Sequence, residues 1–154
     1  GSQEMAGEVG RLLMPAKEEA SGYRMLERVI SVSSLKQKMK EQGMKGRFAE
    51  LPGRYLAGEA QAAKLLEPAL DAASLLLYNL LWIYNPSCIV VDSSCREYAE
   101  LIAGHARRFV EERQDEAIPV RAEIRCAESD EYHRMHGCFR MARDAWIEEL
   151  ASAL

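Results

Sequence analysis

Residues 69–84 are apolar on nearly every face of the helix that their spacing predicts, and this segment constrains the fold more than any other. A helix that is apolar all round has to be buried, as in the centre of a large fold. After Pro86 comes Cys88–Val91, a short β-branched run of the kind that a sheet buries on both faces. A buried helix that leads into a buried strand predicts an α/β protein.

Shorter signals extend this alternation along the chain. We predict strands over residues 8–15 and 119–126, helical turns within 23–30, and a helix that Ser31 or Ser33 caps and Gly43 ends. A helical pattern from residue 55 is expected to break at Pro68. Further helices are predicted over 96–112 and over 131–150. The last helix is expected to bury apolar residues at helical spacing, namely Met135, Phe139, Ala142, Trp146 and Leu150.

The predicted order of strands and helices corresponds to a small mixed sheet flanked by helices. Three strands make a thin sheet for so many helices. We therefore expect the sheet to be completed either by chain outside this sequence or by a second copy of it, and we expect a homo-oligomer.

Composition restricts the class of function. The chain has 154 residues, about one domain's worth, with 48% hydrophobic and 29% charged residues and a net charge of −4. This mild acidity argues against a nucleic-acid surface on this piece, because binding phosphates requires clustered cations. A basic run near the N-terminal third is interpreted as a solvated helix face; it comprises Lys36, Lys38, Lys40, Lys45 and Arg47.

The cysteines indicate a reduced, cytoplasmic protein. They lie at positions 88, 95, 126 and 138 and form no Cys-x-x-Cys pair. The longest apolar run, residues 75–84, is too short to span a bilayer, so no membrane association is expected. Gly1-Ser2 is interpreted as a cloning scar, and residues 3–154 as a single lobe from a longer protein.

Four segments together resemble the C-terminal lobe of the ROK family (repressors, open reading frames and sugar kinases). Gly7-Glu-Val-Gly-Arg11 resembles a Gly-Glu-x-Gly-His motif, and Met25–Ser31 resembles the Gly-Cys-Leu-Glu end of a zinc motif. Residues 76–91 resemble a stretch that ends in Asn-Pro-x-x-Ile-Val, and 127–142 resemble the closing helix with its Gly-Ala pair. The resemblance implies part of an actin-like (RNase H-like) ATPase lobe.

The zinc ligands of that family are missing. Its members hold a structural zinc with the motif histidine and three nearby cysteines. Here Arg11 stands at the histidine position, and residues 16–24 contain no cysteine. Because Arg, Ser and Tyr do not form a tetrahedral zinc site, we predict no metal and no other cofactor.

The resemblance implies that Glu8 and Glu27 contact a sugar or sugar phosphate. In the sugar kinases of the family, the matching glutamates bind sugar hydroxyls. The residues themselves favour two solvated or salt-bridged glutamates, because no zinc orients the loop around them. Both interpretations stay open at this stage.

The loop after the Cys88–Val91 strand opposes nucleotide binding. The kinases of the family have glycines there, which let the nucleotide approach the backbone. Asp92, Ser93 and Ser94 add side chains at these positions, and Asp92 adds a negative charge. We interpret them as positions of a degenerate nucleotide loop.

Catalytic elements of the kinases are absent from these residues. The family's general base lies in an Asn-Asp segment, and its phosphate-binding turn is Asp-x-Gly-x-Thr. Neither occurs here, so we predict no catalytic residue and favour a binding protein over an enzyme.

Three other constellations are less favoured. Cys126, His133, His136 and Cys138 are interpreted as surface histidines and packed thiols, since their predicted positions do not converge on one metal. Ser93 and Ser94 with His105 lack the nucleophile elbow of a hydrolase. An aromatic set on the apolar helix is interpreted as core or interface packing; it comprises Tyr78, Trp82 and Tyr84.

These observations predict the effector-binding and oligomerisation lobe of a sugar-responsive transcriptional repressor, without catalytic activity. DNA binding would be carried only by a segment outside this chain. The alternative is the C-terminal lobe of a divergent, glucokinase-like ATP-dependent sugar kinase.

Overall fold

The computed structural model describes residues 7–113, 122–127 and 139–147. Its elements, in chain order, are a 3-10 turn Val9–Arg11, β1 Leu13–Pro15, β2 Tyr23–Met25, α1 Glu27–Ile30, α2 Val32–Glu41, a 3-10 turn Phe48–Glu50, α3 Leu51–Leu56, α4 Ala60–Tyr84, β3 Cys88–Val91, α5 Arg96–Glu111, β4 Glu123–Cys126 and α6 over residues 139–147. The fold is mixed α/β, with small sheets flanked by helices, as predicted.

The longest helix, α4, runs without interruption through Pro68, so the predicted break is wrong. Proline removes one backbone N–H, and Pro68 lies on the exposed side of the helix. On the buried side, Leu65, Leu66, Ala69 and Leu70 all lie in the core. Their burial, about 1.5–3 kcal/mol for each fully buried leucine, outweighs one missing hydrogen bond that water can replace.

The core lies between α4 and α5, with α2, α3 and the second 3-10 turn closing one side. The predicted helix over 96–112 is confirmed as α5. Its buried residues recur three or four positions apart, which is the spacing of one helix face. They are Tyr98, Ala99, Ile102, Ala103, Ala106 and Val110.

The C-terminal part of α4 is not buried all round, contrary to prediction. Leu75, Trp82, Ile83 and Tyr84 are exposed on it. Asn85 ends the helix in the left-handed conformation, with φ of 44°. Its N–H donates to the Leu81 carbonyl over 2.9 Å.

Among the described residues, the strands form two separate pairs and not the single three-stranded sheet that the sequence predicts, because the first strand pairs with β2, at residues predicted to be helical. β1 and β2 make an antiparallel hairpin, in which Met14 faces Arg24 and Pro15 faces Tyr23. The predicted strand over 8–15 is therefore shorter than expected, since a 3-10 turn precedes it. The helical turns predicted within 23–30 begin only after β2, at α1.

β3 is confirmed at Cys88–Val91 and pairs in parallel with β4, so that Ile89 lies beside Ile124. Within β4 only Ile124 is buried, as the alternating pattern predicted for a half-covered strand. Residues 119–121 of the predicted strand lie outside the described residues. The Arg107 guanidinium on α5 donates to the Ile124 carbonyl over 2.7 Å and ties the helix to the sheet.

The predicted burial of the last helix is wrong where the structure describes it. Phe139, Ala142 and Trp146 are exposed on α6, with 79% of Phe139 and 62% of Trp146 accessible. Met135 and Leu150 lie outside the described residues. The apolar pattern of this helix is present, but no described part of the chain covers it.

Among the described residues, the helices are all too short or too polar to cross a membrane.

Candidate functional site

Glu27 is placed by the β1–β2 hairpin. The Leu26 N–H donates to the Leu12 carbonyl over 2.8 Å, which extends the hairpin ladder to the start of α1. Leu26 is buried, and Glu27 follows as the first residue of α1 with its side chain exposed.

Glu8 lies on the segment that packs against Glu27. Its carbonyl accepts from the Arg11 N–H over 3.0 Å and opens the 3-10 turn Val9–Arg11. Within this turn, Gly10 faces Glu27 so closely that an added Cβ would lie 3.2 Å from the Glu27 Cβ. Glycine at position 10 therefore lets the Gly7–Arg11 segment approach the start of α1. The two predicted carboxylates are on neighbouring pieces of backbone, and both are exposed.

The residues around this turn do not fit a metal. Arg11, where the ROK family has its zinc-binding histidine, is exposed. Within the described parts of the chain, no group of three or more His, Cys, Asp or Glu side chains converges as metal ligands do. A zinc ion, with its preference for four sulfur and nitrogen ligands, has no ligand set here.

The loop after β3 binds its own backbone amides. The Asp92 carboxylate accepts from the Ser93 N–H over 2.8 Å. The Ser93 hydroxyl oxygen accepts from the Cys95 N–H over 3.3 Å, just before α5 begins at Arg96. Free N–H groups before a helix are what a phosphate normally binds. In this loop, the N–H groups of Ser93 and Cys95 are instead bonded to the side chains of Asp92 and Ser93.

Ser94 lies at the edge of a groove of about 550 Å³ that the sequence alone did not indicate. Lys36 and Lys40 line it from α2, and Arg47 lines it from the loop that follows. Its floor is apolar and includes Met39 and Phe48, which are both buried. The groove thus combines an apolar floor with a basic rim, which is chemistry suited to an anion that carries an apolar ring.

The basic run was interpreted as a solvated helix face, and Lys36 and Lys40 are indeed exposed on α2, where they also line the groove. Lys36 and Lys40 are four residues apart and so share one side of α2. That spacing was the signal in the sequence that could have indicated a basic side of α2. Arg47, which joins them from the next loop, pairs with Glu50 over 3.1 Å. The hydrogen bond from the Arg47 side chain lowers the pKa of the Glu50 carboxyl.

Cys95 and Tyr98, at the start of α5, are structural rather than reactive. Burial raises the pKa of the Cys95 thiol, so the thiolate that a nucleophile needs is disfavoured. Burial also raises the pKa of Tyr98 well above its usual range. The Tyr98 hydroxyl donates to the Ile30 carbonyl over 2.9 Å, and this bond joins the start of α5 to the end of α1.

His105 does not partner the serines of the loop. Its Nδ1 lies 2.9 Å from the Ser74 hydroxyl, and its Nε2 lies 3.6 Å from the Asp71 carboxylate. This is a Ser-His-Asp set that sequence spacing did not reveal, because the three residues come from two different helices. Ser74 is fully buried between them, so no substrate reaches its hydroxyl. The set joins α4 to α5.

Other predicted candidates have simpler outcomes. Cys126 closes β4 and is half-buried. His133, His136 and Cys138 lie outside the described residues. Tyr78 packs edge-on against Trp82, with ring centroids 6.2 Å apart, and against Phe109 at 6.0 Å.

Neither a protein-family model nor a curated protein matches this sequence. The fold is similar to the crystal structure of a ROK hexokinase from Thermus thermophilus, with a TM-score of 0.61 and 18% sequence identity. The match covers 85% of this chain and 45% of that chain, so this chain spans about half of the hexokinase's length. At this identity the similarity establishes the fold alone, which is consistent with the mixed α/β fold expected from the sequence.

Proposed function

We propose that residues 3–154 are the C-terminal lobe of a longer, cytoplasmic ROK-type protein without catalytic activity. The lobe binds a sugar or sugar phosphate and joins copies of the protein into a homo-oligomer. In the parent protein it acts as the effector-sensing part of a transcriptional repressor. DNA is contacted only by a segment outside this chain.

The observation that carries the proposal is the closed loop after β3. Asp92 and Ser93 bond the amides of Ser93 and Cys95, and Asp92 places a carboxylate beside them. A nucleotide phosphate at this loop would meet a like charge and amides that are already bonded. The loss of nucleotide binding separates a sugar sensor from a sugar kinase.

Glu8 and Glu27 support the sugar-binding part of the proposal. Gly10 lets their two segments pack together, and their carboxylates are exposed to a ligand. Ionised carboxylates accept hydrogen bonds from several hydroxyls, which is what a sugar presents.

The basic groove favours the alternative, a C-terminal lobe of an ATP-dependent sugar kinase. Lys36, Lys40 and Arg47 surround an apolar floor beside Ser94, an arrangement that suits a nucleotide. In that case catalysis would depend on a second lobe, and the groove would have to bind ATP although Asp92 adds a negative charge to the neighbouring loop.

Isothermal titration with a panel of hexoses and hexose phosphates tests the proposal. We expect one member to bind the wild-type chain and to lose at least about tenfold in affinity in Glu8→Gln and Glu27→Gln, since each loses a charge-assisted hydrogen bond. Glu67→Gln, which removes an exposed carboxylate from α4, is the matched control. Binding that survives in both site variants, or no binding by any sugar, would contradict the sugar site.

A further inference from the structure

The turn between β1 and β2 closes through its own backbone. In residues 16–22, the Ala16 N–H donates to the Gly22 carbonyl over 2.8 Å. The Glu19 N–H donates to the Ala16 carbonyl over 3.0 Å, and the Gly22 N–H donates to the Glu19 carbonyl over 2.9 Å. Gly22 has φ of +73°, a conformation that glycine adopts without strain. These bonds define the path of the turn.

Arg24, on β2, supplies that side-chain contact. Its Nη2 lies 2.7 Å from a Glu18 carboxylate oxygen and 3.2 Å from one of Glu19. The Arg24 side chain is only 22% exposed, while those of Glu18 and Glu19 are 66% and 40% exposed. The two carboxylates of the turn therefore fold back over a mostly buried guanidinium.

Arg24 also connects the turn to α2. Burial first, and then the charge of Arg24, lower the pKa of Lys38, while Glu41 and Glu18 oppose that shift. A groove between the hairpin and α2 is lined by Arg24 and Lys38 together with Glu19 and Glu41. Arg28 lines the groove as well, so its two carboxylates lie among three cations.

The Nε of Arg24 is buried and has no hydrogen-bond partner among the described residues. An unpaired buried N–H is costly, so the ion pairs with the two glutamates have to offset that cost for the side chain to stay in this position. We therefore expect the turn to depend on those ion pairs.

We infer that Arg24, paired with Glu18 and Glu19, closes the 16–22 turn in this chain without a metal ion. In the ROK resemblance this is the stretch of the zinc motif, and no zinc ligand set exists here. These ion pairs, in place of a zinc ion, position the hairpin and, through Leu26, position Glu27. The inference does not depend on which ligand the chain binds.

Amide hydrogen exchange of the turn tests this inference. We expect Arg24→Met to speed exchange at Ala16, Glu19 and Gly22 by about three- to tenfold, the range for partly exposed ion pairs acting together. Amides of α5 serve as an internal reference for global unfolding, and Lys17→Met is the matched control on the same turn. Arg24→Lys keeps the charge on a side chain one bond shorter than the one that reaches both glutamates through Nη2, and it is expected to fall between the wild type and Arg24→Met.

Salt and chelator complete the design. In the wild type, about 1 M salt is expected to speed turn exchange towards the Arg24→Met value, because it screens exposed ion pairs. A chelator is expected to leave exchange unchanged, with no stoichiometric zinc in the purified chain. A chelator-sensitive turn, bound zinc, or an Arg24→Met variant that exchanges like Lys17→Met would overturn the inference.

Discussion

The α4–α5 body and the β1–β2 hairpin are held together by different kinds of contact. In the body, Leu66 and Leu70 are fully buried and the helices meet along apolar faces. In the hairpin, Leu13 is 64% exposed, and the closing contacts are backbone bonds and ion pairs. The body therefore depends on apolar burial, whereas the hairpin, which positions Glu27, combines these polar contacts with the packing of Met14 against a small cluster that includes Leu26. The predictions below test this difference.

The largest expected effect comes from Leu66→Ala. Leu66 is fully buried on α4, so the variant leaves a cavity and is expected to lose about 2–5 kcal/mol in the free energy of unfolding. Leu13→Ala on the hairpin is expected to change it by less than about 0.5 kcal/mol, because its side chain is largely exposed. Denaturant titration measures both. Similar losses in the two variants would contradict the proposed difference between the regions.

Tyr98→Phe tests the bond that joins the body to α1, the helix that follows the hairpin. The variant keeps the ring, which packs edge-on against Phe48, but leaves the Ile30 carbonyl without its donor. We expect a loss of about 1–2 kcal/mol in unfolding free energy. Tyr84→Phe, at an exposed position, is the control. If both variants unfold alike, the Tyr98 bond does not join α5 to α1 in solution.

Ser31→Ala tests the start of α2. The Ser31 hydroxyl oxygen accepts from the Ser34 N–H over 3.2 Å and caps the helix. Removing an N-cap hydroxyl costs about 1 kcal/mol, to be measured by thermal unfolding against Ser87→Ala. An unchanged melting temperature in Ser31→Ala would show that the cap is dispensable.

The smallest expected effect is pH-dependent and concerns Glu59, just before α4. The hydrogen bond from Arg54 lowers the pKa of the Glu59 carboxyl from its ordinary 4.5. A lowered folded-state pKa means that the pair stabilises the fold above that ordinary value and loses its effect as the pH falls through the folded-state pKa. The stability difference between wild type and Glu59→Gln should therefore be constant near neutral pH and shrink below about pH 4. A difference that grows on acidification would contradict this assignment.

The sequence predicts the elements whose signals are local. The helix at Arg96–Glu111, the strand at Cys88–Val91 and the serine cap of α2 follow from apolar spacing, β-branching and N-cap chemistry. Pro68 was interpreted as a break because local helix propensity does not take into account the burial of the leucines around it. Burial of those leucines overrides the propensity.

Contacts between distant segments could not be predicted. Nothing in the spacing of Ser74 and His105 shows that two helices bring them within hydrogen-bond distance. The basic groove was missed for the same reason, since Arg47 joins Lys36 and Lys40 only after the chain turns. Glu8 and Glu27 came from the family resemblance, and their contact with a sugar stays a prediction.

The most direct test of the proposed function is titration of this chain with Mg-ATP and Mg-ADP. We expect no binding up to about 1 mM, because Asp92 and Ser93 bond the loop amides and add a like charge. A variant in which Asp92, Ser93 and Ser94 are all replaced by glycine is expected to bind Mg-ATP more tightly than the wild type, with the nucleotide in the basic groove beside the loop. Wild-type affinity in the micromolar range, lost in Lys36→Met and Lys40→Met, would contradict the account and favour the kinase lobe.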